Sequence, residues 1–252
     1  MKIQYCSDLH LEFKNNAAYL AENPIKPLGE ILLLGGDILP IPLMNTAQPV
    51  LDFLSREFEA VYWIPGNHEY YRSDIYEVKD GRLVEIRPNV YFGNNFIIQH
   101  KCVDIICSTM WSKISPQHAL EISQFVSDFY LISVRGERLT TGIFNTMHRH
   151  DLNFIQQSLI KSEAATKIVM THHVPTLMHY PEPFKFSSVN EAFAVELFDF
   201  IETCNADYWI YGHHHTNNAD FKIGKTMILT NQLGYVNQGQ HFRYRNGTVI
   251  EI

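Results

Sequence analysis

The stretch from Glu30 to Glu69, "EILLLGGDILPIPLMNTAQPVLDFLSREFEAVYWIPGNHE", decides the fold. It opens on EILLLGG, a short run that is apolar almost throughout and stopped by glycines. That is the pattern of a strand covered on both faces. It closes on a second such run, AVYWIPG. Between them, TAQPVLDFLSREFEA places Val50, Leu51, Leu54 and Phe58 on one helical face. Strand, amphipathic helix and strand in succession predict an α/β layer.

Working outward, KIQYC, TKIVMTHH and DYWIYGHHH read as three more strands of the same kind. NEAFAVELFDFIETCNA predicts a helix before the last of them, with Phe193, Leu197, Phe198 and Ile201 on its apolar face. NVYFGNNFIIQHKCVDIICSTMW predicts an antiparallel meander that turns at Gly93-Asn94-Asn95 and again near His100-Lys101. At the C-terminal end, FKIGKTMILT and HFRYRNGTVIEI predict the same arrangement, with Asn246-Gly247 as a hairpin turn. Residues 112–162 read as helices with a polar break around Arg135 to Thr141 and add no strand. Without repeats or linkers, residues 1–252 read as a single domain in which the 112–162 helical insert forms a cap. The segment 174–190 holds three prolines and follows a strand ending in Thr-His-His, which predicts a loop lining a site.

About half of the residues are apolar and the net charge is −7. That balance argues against a nucleic-acid polymer or an anionic membrane as partner, because both are bound through a basic footprint. A small phosphorylated substrate remains open, since a bound metal supplies positive charge that no residue count includes. MKIQYCSDLH enters a strand at once without an apolar leader core, and no run is long enough for a membrane span. The expected compartment is the cytoplasm, with Cys6, Cys102, Cys107 and Cys204 as buried free thiols.

Chemistry-bearing residues follow each of the five strands. They are Asp8-Leu9-His10, Gly35-Gly36-Asp37, Gly66-Asn67-His68-Glu69, Thr171-His172-His173 and Gly212-His213-His214-His215. Ligands of open α/β sheets bind beyond the carboxyl ends of strands. Asp, Asn and His are the donors suited to divalent transition metals such as manganese, iron or zinc. Side chains two apart on an extended segment share a face, so Asp8 with His10, and His213 with His215, project as pairs. Any one motif is weak, but five of them at five strand ends point to one shared metal site.

The series D-x-H, G-D, G-N-H-[D/E], H and G-H-x-H, spread from residue 8 to residue 215, resembles the signature of the calcineurin-like metallophosphoesterases. SDLHLEF, STMW and NQLGY resemble a bacterial branch of that superfamily. The resemblance implies a four-layer α/β/β/α sandwich with mixed sheets and a dinuclear metal site at the strand ends. It implies that Asp8, His10 and His215 hold one ion, that Asn67, His172 and His213 hold the other, and that Asp37 bridges them. It also implies that His68 meets the phosphate or leaving group and that Glu69 orients it. His214 fills the variable position of G-H-x-H and faces the rim, while Asn231 and Tyr235 approach the site edge and Arg72 is a candidate phosphate contact.

GGDILPIP lacks the acidic and arginine-bearing continuation of the Ser/Thr protein phosphatases, and IPGNHE lacks their preceding arginine. A metal-dependent phosphoesterase acting on a small phosphodiester or phosphomonoester is therefore the leading expectation. A Ser/Thr-type protein phosphatase and a non-catalytic scaffold of the same fold are the alternatives. His173 is expected to pack or to support the ligands, and Trp111 to pack. His100, His118, His148, His150, His179 and His241 are expected at the surface or as caps.

Overall fold

The apolar run Ile31–Leu34 is a strand with all four residues buried, and its alternating side chains feed two different cores. Ile31 and Leu33 face the side occupied by Ile3, Tyr5, Ile105, Ile168, Met170 and Ile210. Leu32 and Leu34 face the opposite side with Leu51, Leu54 and Phe58. A strand covered in this way needs no polar face, so its sequence shows no alternation.

The computed structural model describes residues 1–252. Strand β1 (Lys2–Cys6) leads to α1 (Lys14–Glu22), β2 (Ile31–Leu34), α2 (Gln48–Glu57) and β3 (Ala60–Trp63). Next come β4 (Ser73–Asp74), β5 (Val84–Arg87), β6 (Val90–Phe92), β7 (Phe96–His100) and β8 (Val103–Ser108). The following segment carries α3 (Ala119–Phe125), α4 (Asp128–Leu131), β9 (Ile132–Val134), β10 (Glu137–Arg138) and α5 (Thr141–Lys161). The remainder comprises β11 (Thr166–Thr171), α6 (Phe198–Thr203), β12 (Tyr208–Tyr211), β13 (Phe221–Ile223), β14 (Thr226–Thr230) and β15 (Val249–Glu251).

One six-stranded sheet runs β15-β1-β2-β3-β6-β5, the other β13-β14-β12-β11-β8-β7. In each, four inner strands are parallel and both edge strands antiparallel. The two sheets face each other across the Leu33 core. On the far side of the second sheet, Ile106, Val169 and Trp209 pack with Ile155 and Leu159 of α5 and Ile201 of α6. These are the four layers α/β/β/α with mixed sheets. No helix is long and apolar enough to cross a membrane.

Five local expectations are corrected. Gly93-Asn94-Asn95 is not a hairpin turn, because β6 belongs to the first sheet and β7 to the second. The crossing is anchored by Asn94 and Asn95, whose amides donate to Asp80, with Asn95 also donating to Asp151. Asn246-Gly247 does not close a hairpin either; the chain leaves it to pair β15 with β1. The 112–162 segment does add strands. Arg135-Gly136, both with positive φ, turns β9 into β10 as two-residue hairpin turns require, and β9 pairs with β4 in a third sheet. The helix expected over 190–206 is regular only at α6, because Val174 and Ala194 bridge and draw the upstream part into an irregular path. Among the thiols, Cys102 is exposed.

Leu33 is 0% exposed between the sheets. Leu33→Ala should lower unfolding free energy by about 2–5 kcal/mol. A denaturant titration checks this, and an unchanged midpoint would contradict the inter-sheet packing.

Candidate dinuclear metal centre

Beyond the ends of β1, β2 and β12 the site is built from backbone that departs from strand geometry. Asp8, His10, Asp37, His213 and His215 have φ of 56°, 47°, 55°, 80° and 53°. This left-handed region disfavours residues with a Cβ and recurs at functional sites, where surrounding bonds hold it. Asp8 N–H donates to Gly36 O and His10 N–H to Asp37 O, each at 2.9 Å. His213 N–H donates to Asp8 Oδ1 at 3.0 Å, and His215 N–H to Gln232 Oε1 at 2.7 Å. The pairs 8/10 and 213/215 therefore converge through left-handed kinks, not through the alternation of an extended chain. Two glycines make the close approach possible. A Cβ on Gly66 would lie 2.6 Å from His172 Nε2, and one on Gly212 would lie 2.7 Å from Asp8 Oδ2.

All seven residues expected as ligands come together in the interior. Asp8, His10, Asp37 and His215 form one group, and Asp37, His172 and His213 a second, so Asp37 is common to both. His10 Nε2 lies 2.9 Å from His215 Nε2 and 3.7 Å from Asp37 Oδ2. His172 Nε2 lies 3.4 Å from the other Asp37 oxygen, 3.0 Å from His213 Nδ1 and 3.2 Å from Asn67 Oδ1. His215 Nε2 is 3.4 Å from Asp8 Oδ1.

The donor set fits metal ions, and tautomers supply the test. His10 Nδ1 faces a carboxylate oxygen of Glu12 at 3.1 Å and must carry its proton there. His215 Nδ1 faces Gln240 Oε1 at 2.8 Å, an atom fixed as oxygen because Tyr235 N–H also donates to it. Both Nε2 atoms are then bare lone pairs pointing at each other across 2.9 Å, a repulsive contact that a cation between them resolves. His172 Nδ1 likewise donates to Gly35 O at 2.9 Å, leaving its Nε2 for the second group. Burial opposes charge on His172, yet the Asp37 and Asp8 carboxylates push its pKa up to about 10. A field that attracts a proton so strongly attracts a metal cation as well.

His68 is buried at the edge of this cluster, stacked on Tyr71 with ring centroids 4.2 Å apart. Its Nδ1 lies 2.8 Å from Glu12 Oε1 and its Nε2 3.3 Å from Tyr235 Oη. Burial works against its charge, but Asp37 and Glu12 outweigh that and push it up to about 9. The orienting role expected of Glu69 is corrected. Glu69 accepts from Asp37 N, Ile38 N, Gly66 N and Trp63 Nε1 and makes no bond to His68. Glu12 holds His68 instead. Its signal lay in the sequence as the acid two residues after His10, a spacing the D-x-H reading stopped short of.

A cavity of about 470 Å³ opens over Asp37, Asn67, His68, His213, His214 and His215. Tyr235 lines it, and so do residues of the 174–190 segment and the end of α3. His214 hydrogen-bonds Gln232 at 3.0 Å, and burial pulls its pKa down to about 4, which leaves the ring neutral. Two expected contacts are elsewhere. Asn231 spends its amide on Tyr5 O, Arg245 O and Arg245 N, away from the cavity, and Arg72 is exposed to solvent outside it. Trp111 is packed in the core beside His173, whose two ring nitrogens are buried without a partner. His148 is buried, not superficial, with Nδ1 2.7 Å from Trp111 O.

An uncharacterized protein of Acanthamoeba polyphaga mimivirus is 27% identical over 266 aligned positions, covering 95% of this chain and 93% of the viral protein. The structure of phosphopantetheinyl hydrolase from Mycobacterium tuberculosis matches with a TM-score of 0.73 at 16% identity, over 99% of this chain and 95% of that one. A dimetal phosphatase from Danio rerio matches with a TM-score of 0.53 at 14% identity, over 92% and 87%. At such identities these two structures show a common fold. The calcineurin-like phosphoesterase family matches residues 1–217 and so spans every residue of both donor groups. On that match the chain belongs to the calcineurin-like phosphoesterases, metal-dependent hydrolases of phosphoesters.

Proposed function

We propose that the protein hydrolyses a small phosphodiester. The observation that carries this reading is the lining of the cavity, which holds no lysine or arginine among its 20 residues. Its size, about 470 Å³, suits a small molecule. A doubly charged phosphomonoester or a phosphoprotein calls for cationic side chains beyond the single His68 to grip the extra charge. A singly charged diester does not. The buried Asp128 carboxylate in the same lining disfavours a second negative charge further. The phosphopantetheinyl group named in the Mycobacterium tuberculosis structure belongs among the substrates to be assayed.

Asp8, His10, Asp37 and His215 would hold one ion, and Asp37, Asn67, His172 and His213 the other. This mixture of imidazole, carboxylate and carboxamide suits manganese, iron or zinc. Bound divalent ions supply Lewis acidity toward phosphoryl oxygens and lower the pKa of water. The chain itself does the rest. Asp37 and Asn67 are set by strand ends, so the phosphate enters a cavity whose donors are already placed. His68 is held protonated on both nitrogens: Nδ1–H donates a hydrogen bond to Glu12, and the proton on Nε2, beside Tyr235, is the one handed to the departing oxygen.

After reconstitution with manganese, iron or zinc, bis-(p-nitrophenyl) phosphate should be turned over with higher kcat/KM than p-nitrophenyl phosphate. Preference for the monoester overturns the diester reading, and no turnover of either ester overturns small-ester hydrolysis. His68→Ala should slow esters with alkyl leaving groups by about 10²-fold or more and p-nitrophenyl esters much less, with both metal equivalents retained. Glu12→Gln should show the same dependence on leaving group. Equal slowing of all esters would remove the proton-donor role. Asp37→Asn should lower occupancy of both metal positions, as read by elemental analysis, and full metal content would refute a shared ligand.

A further inference from the structure

The cavity has two unlike ends, and only the inner one is explained by phosphate chemistry. From the metal end outward one face of its wall is apolar, with Ser127, Ser187 and Asn190 set among the residues around it. Phe193 stacks on the His213 ring, with centroids 4.9 Å apart and planes 24° from parallel. Val189 and Val126 follow in the lining, and Phe125 and Phe184 stand at the mouth, 73% and 50% exposed. Single exposed apolar residues are ordinary, but a group of them continuous with a pocket marks a binding surface.

This wall is built, not incidental. Phe125 is the last residue of α3 and Phe184 belongs to the 174–190 segment; one polar bond joins the two, and others tie Glu191, just after the segment, to the chain leading into α3. Ser188 Oγ donates to Glu121 of α3 at 2.5 Å. Glu191 accepts from Ser115 N–H at 2.6 Å, and its carbonyl accepts from Ser112 Oγ at 2.7 Å. The apolar surface is thus held at a fixed distance from the donor groups.

We infer that this wall receives an apolar arm of the phosphoester, so that the substrates are diesters carrying an alkyl or comparably apolar substituent. The inference rests on the phosphodiesterase reading above. The occupant follows from continuity: a ligand whose phosphate meets the His213 end lays its substituent along Phe193 and out to Phe125 and Phe184. Ser127, Ser187 and Asn190 also line the cavity, but a sugar or other polar substituent laid along Phe193, Val189 and Val126 would desolvate its hydroxyls against side chains that return no hydrogen bonds. An alkyl arm gains about 0.8 kcal/mol for each CH₂ taken out of water, which is about fourfold in affinity.

The test uses the metal-reconstituted protein and monoalkyl methylphosphonates, singly charged diester mimics that are not hydrolysed, with chains of one to eight carbons. Calorimetry should give a Kd that falls about two- to fourfold per added carbon until the mouth is passed. Phe125→Ala combined with Phe184→Ala, both exposed and so tolerable to the fold, should flatten that slope over the longer members. Binding of the methyl member without gain along the series overturns the inference and leaves the diester site standing. An unchanged slope in the double variant overturns the assignment to this wall. If no member binds, the diester reading itself fails and the inference fails with it.

Discussion

The buried carboxylate of Glu69 ends four N–H bonds and so joins the two loops that carry the bridging aspartate and the G-N-H turn. Asp37 N, Ile38 N and Gly66 N reach it at 2.6–2.8 Å, and Trp63 Nε1 at 3.0 Å. Without it, four donors in the interior would lack an acceptor, each at a cost of about 1–3 kcal/mol. Burial and the nearby Asp37 charge raise this carboxyl, while the Ile38 and Asp37 N–H donors and the His172 charge work in the opposite direction. His68 N–H in turn donates to Asp37 Oδ1 at 2.9 Å. Ligand, proton donor and loop thus move as one body, which is what placement within a fraction of an ångström demands.

That rigidity has to contend with five left-handed residues, each costing on the order of 1–3 kcal/mol, and with carboxylates and imidazoles crowded out of water. Asp8 and Asp37 are fully buried and keep their carboxyls below the usual range, because the facing histidines outweigh the burial that opposes it. The lone pairs of His10 and His215 face each other. Cations relieve both stresses at once, so ion binding and stability are linked in this fold: whatever binds the native state alone stabilises it.

Much of this was legible in the chain because strands buried on both faces write themselves as unbroken apolar runs, and donors clustered after them. The α2 face and the five strand ends follow from spacing alone. What the chain concealed depends on tertiary partners. Gly93-Asn94-Asn95 has the composition of a hairpin turn, yet β6 and β7 find partners in different sheets. Arg135-Gly136 was a two-residue hairpin signal inside a segment otherwise rich in helix formers. Glu69 stands beside His68 in sequence, but the tight turn at Asn67–Tyr70 sends it inward to backbone donors, while Glu12 arrives from another strand end. Asn231 follows a strand as the ligands do and is absorbed by the backbone of Tyr5 and Arg245 instead.

The segment between residues 112 and 162 reaches into the site. Its Asp128 accepts from Asn67 Nδ2 and from Tyr71 Oη, each at 2.9 Å. An amide has one oxygen and one nitrogen end, and a carboxylate can only accept. Asp128 therefore decides that Asn67 Oδ1, and not its nitrogen, points at His172. Tyr71, held by the same carboxylate, stacks on His68. The same segment contributes Phe125 to the mouth of the cavity. One segment thus orients Asn67, holds the Tyr71 ring against His68 and shapes the opening of the cavity, so the mouth and the donor groups are mechanically joined.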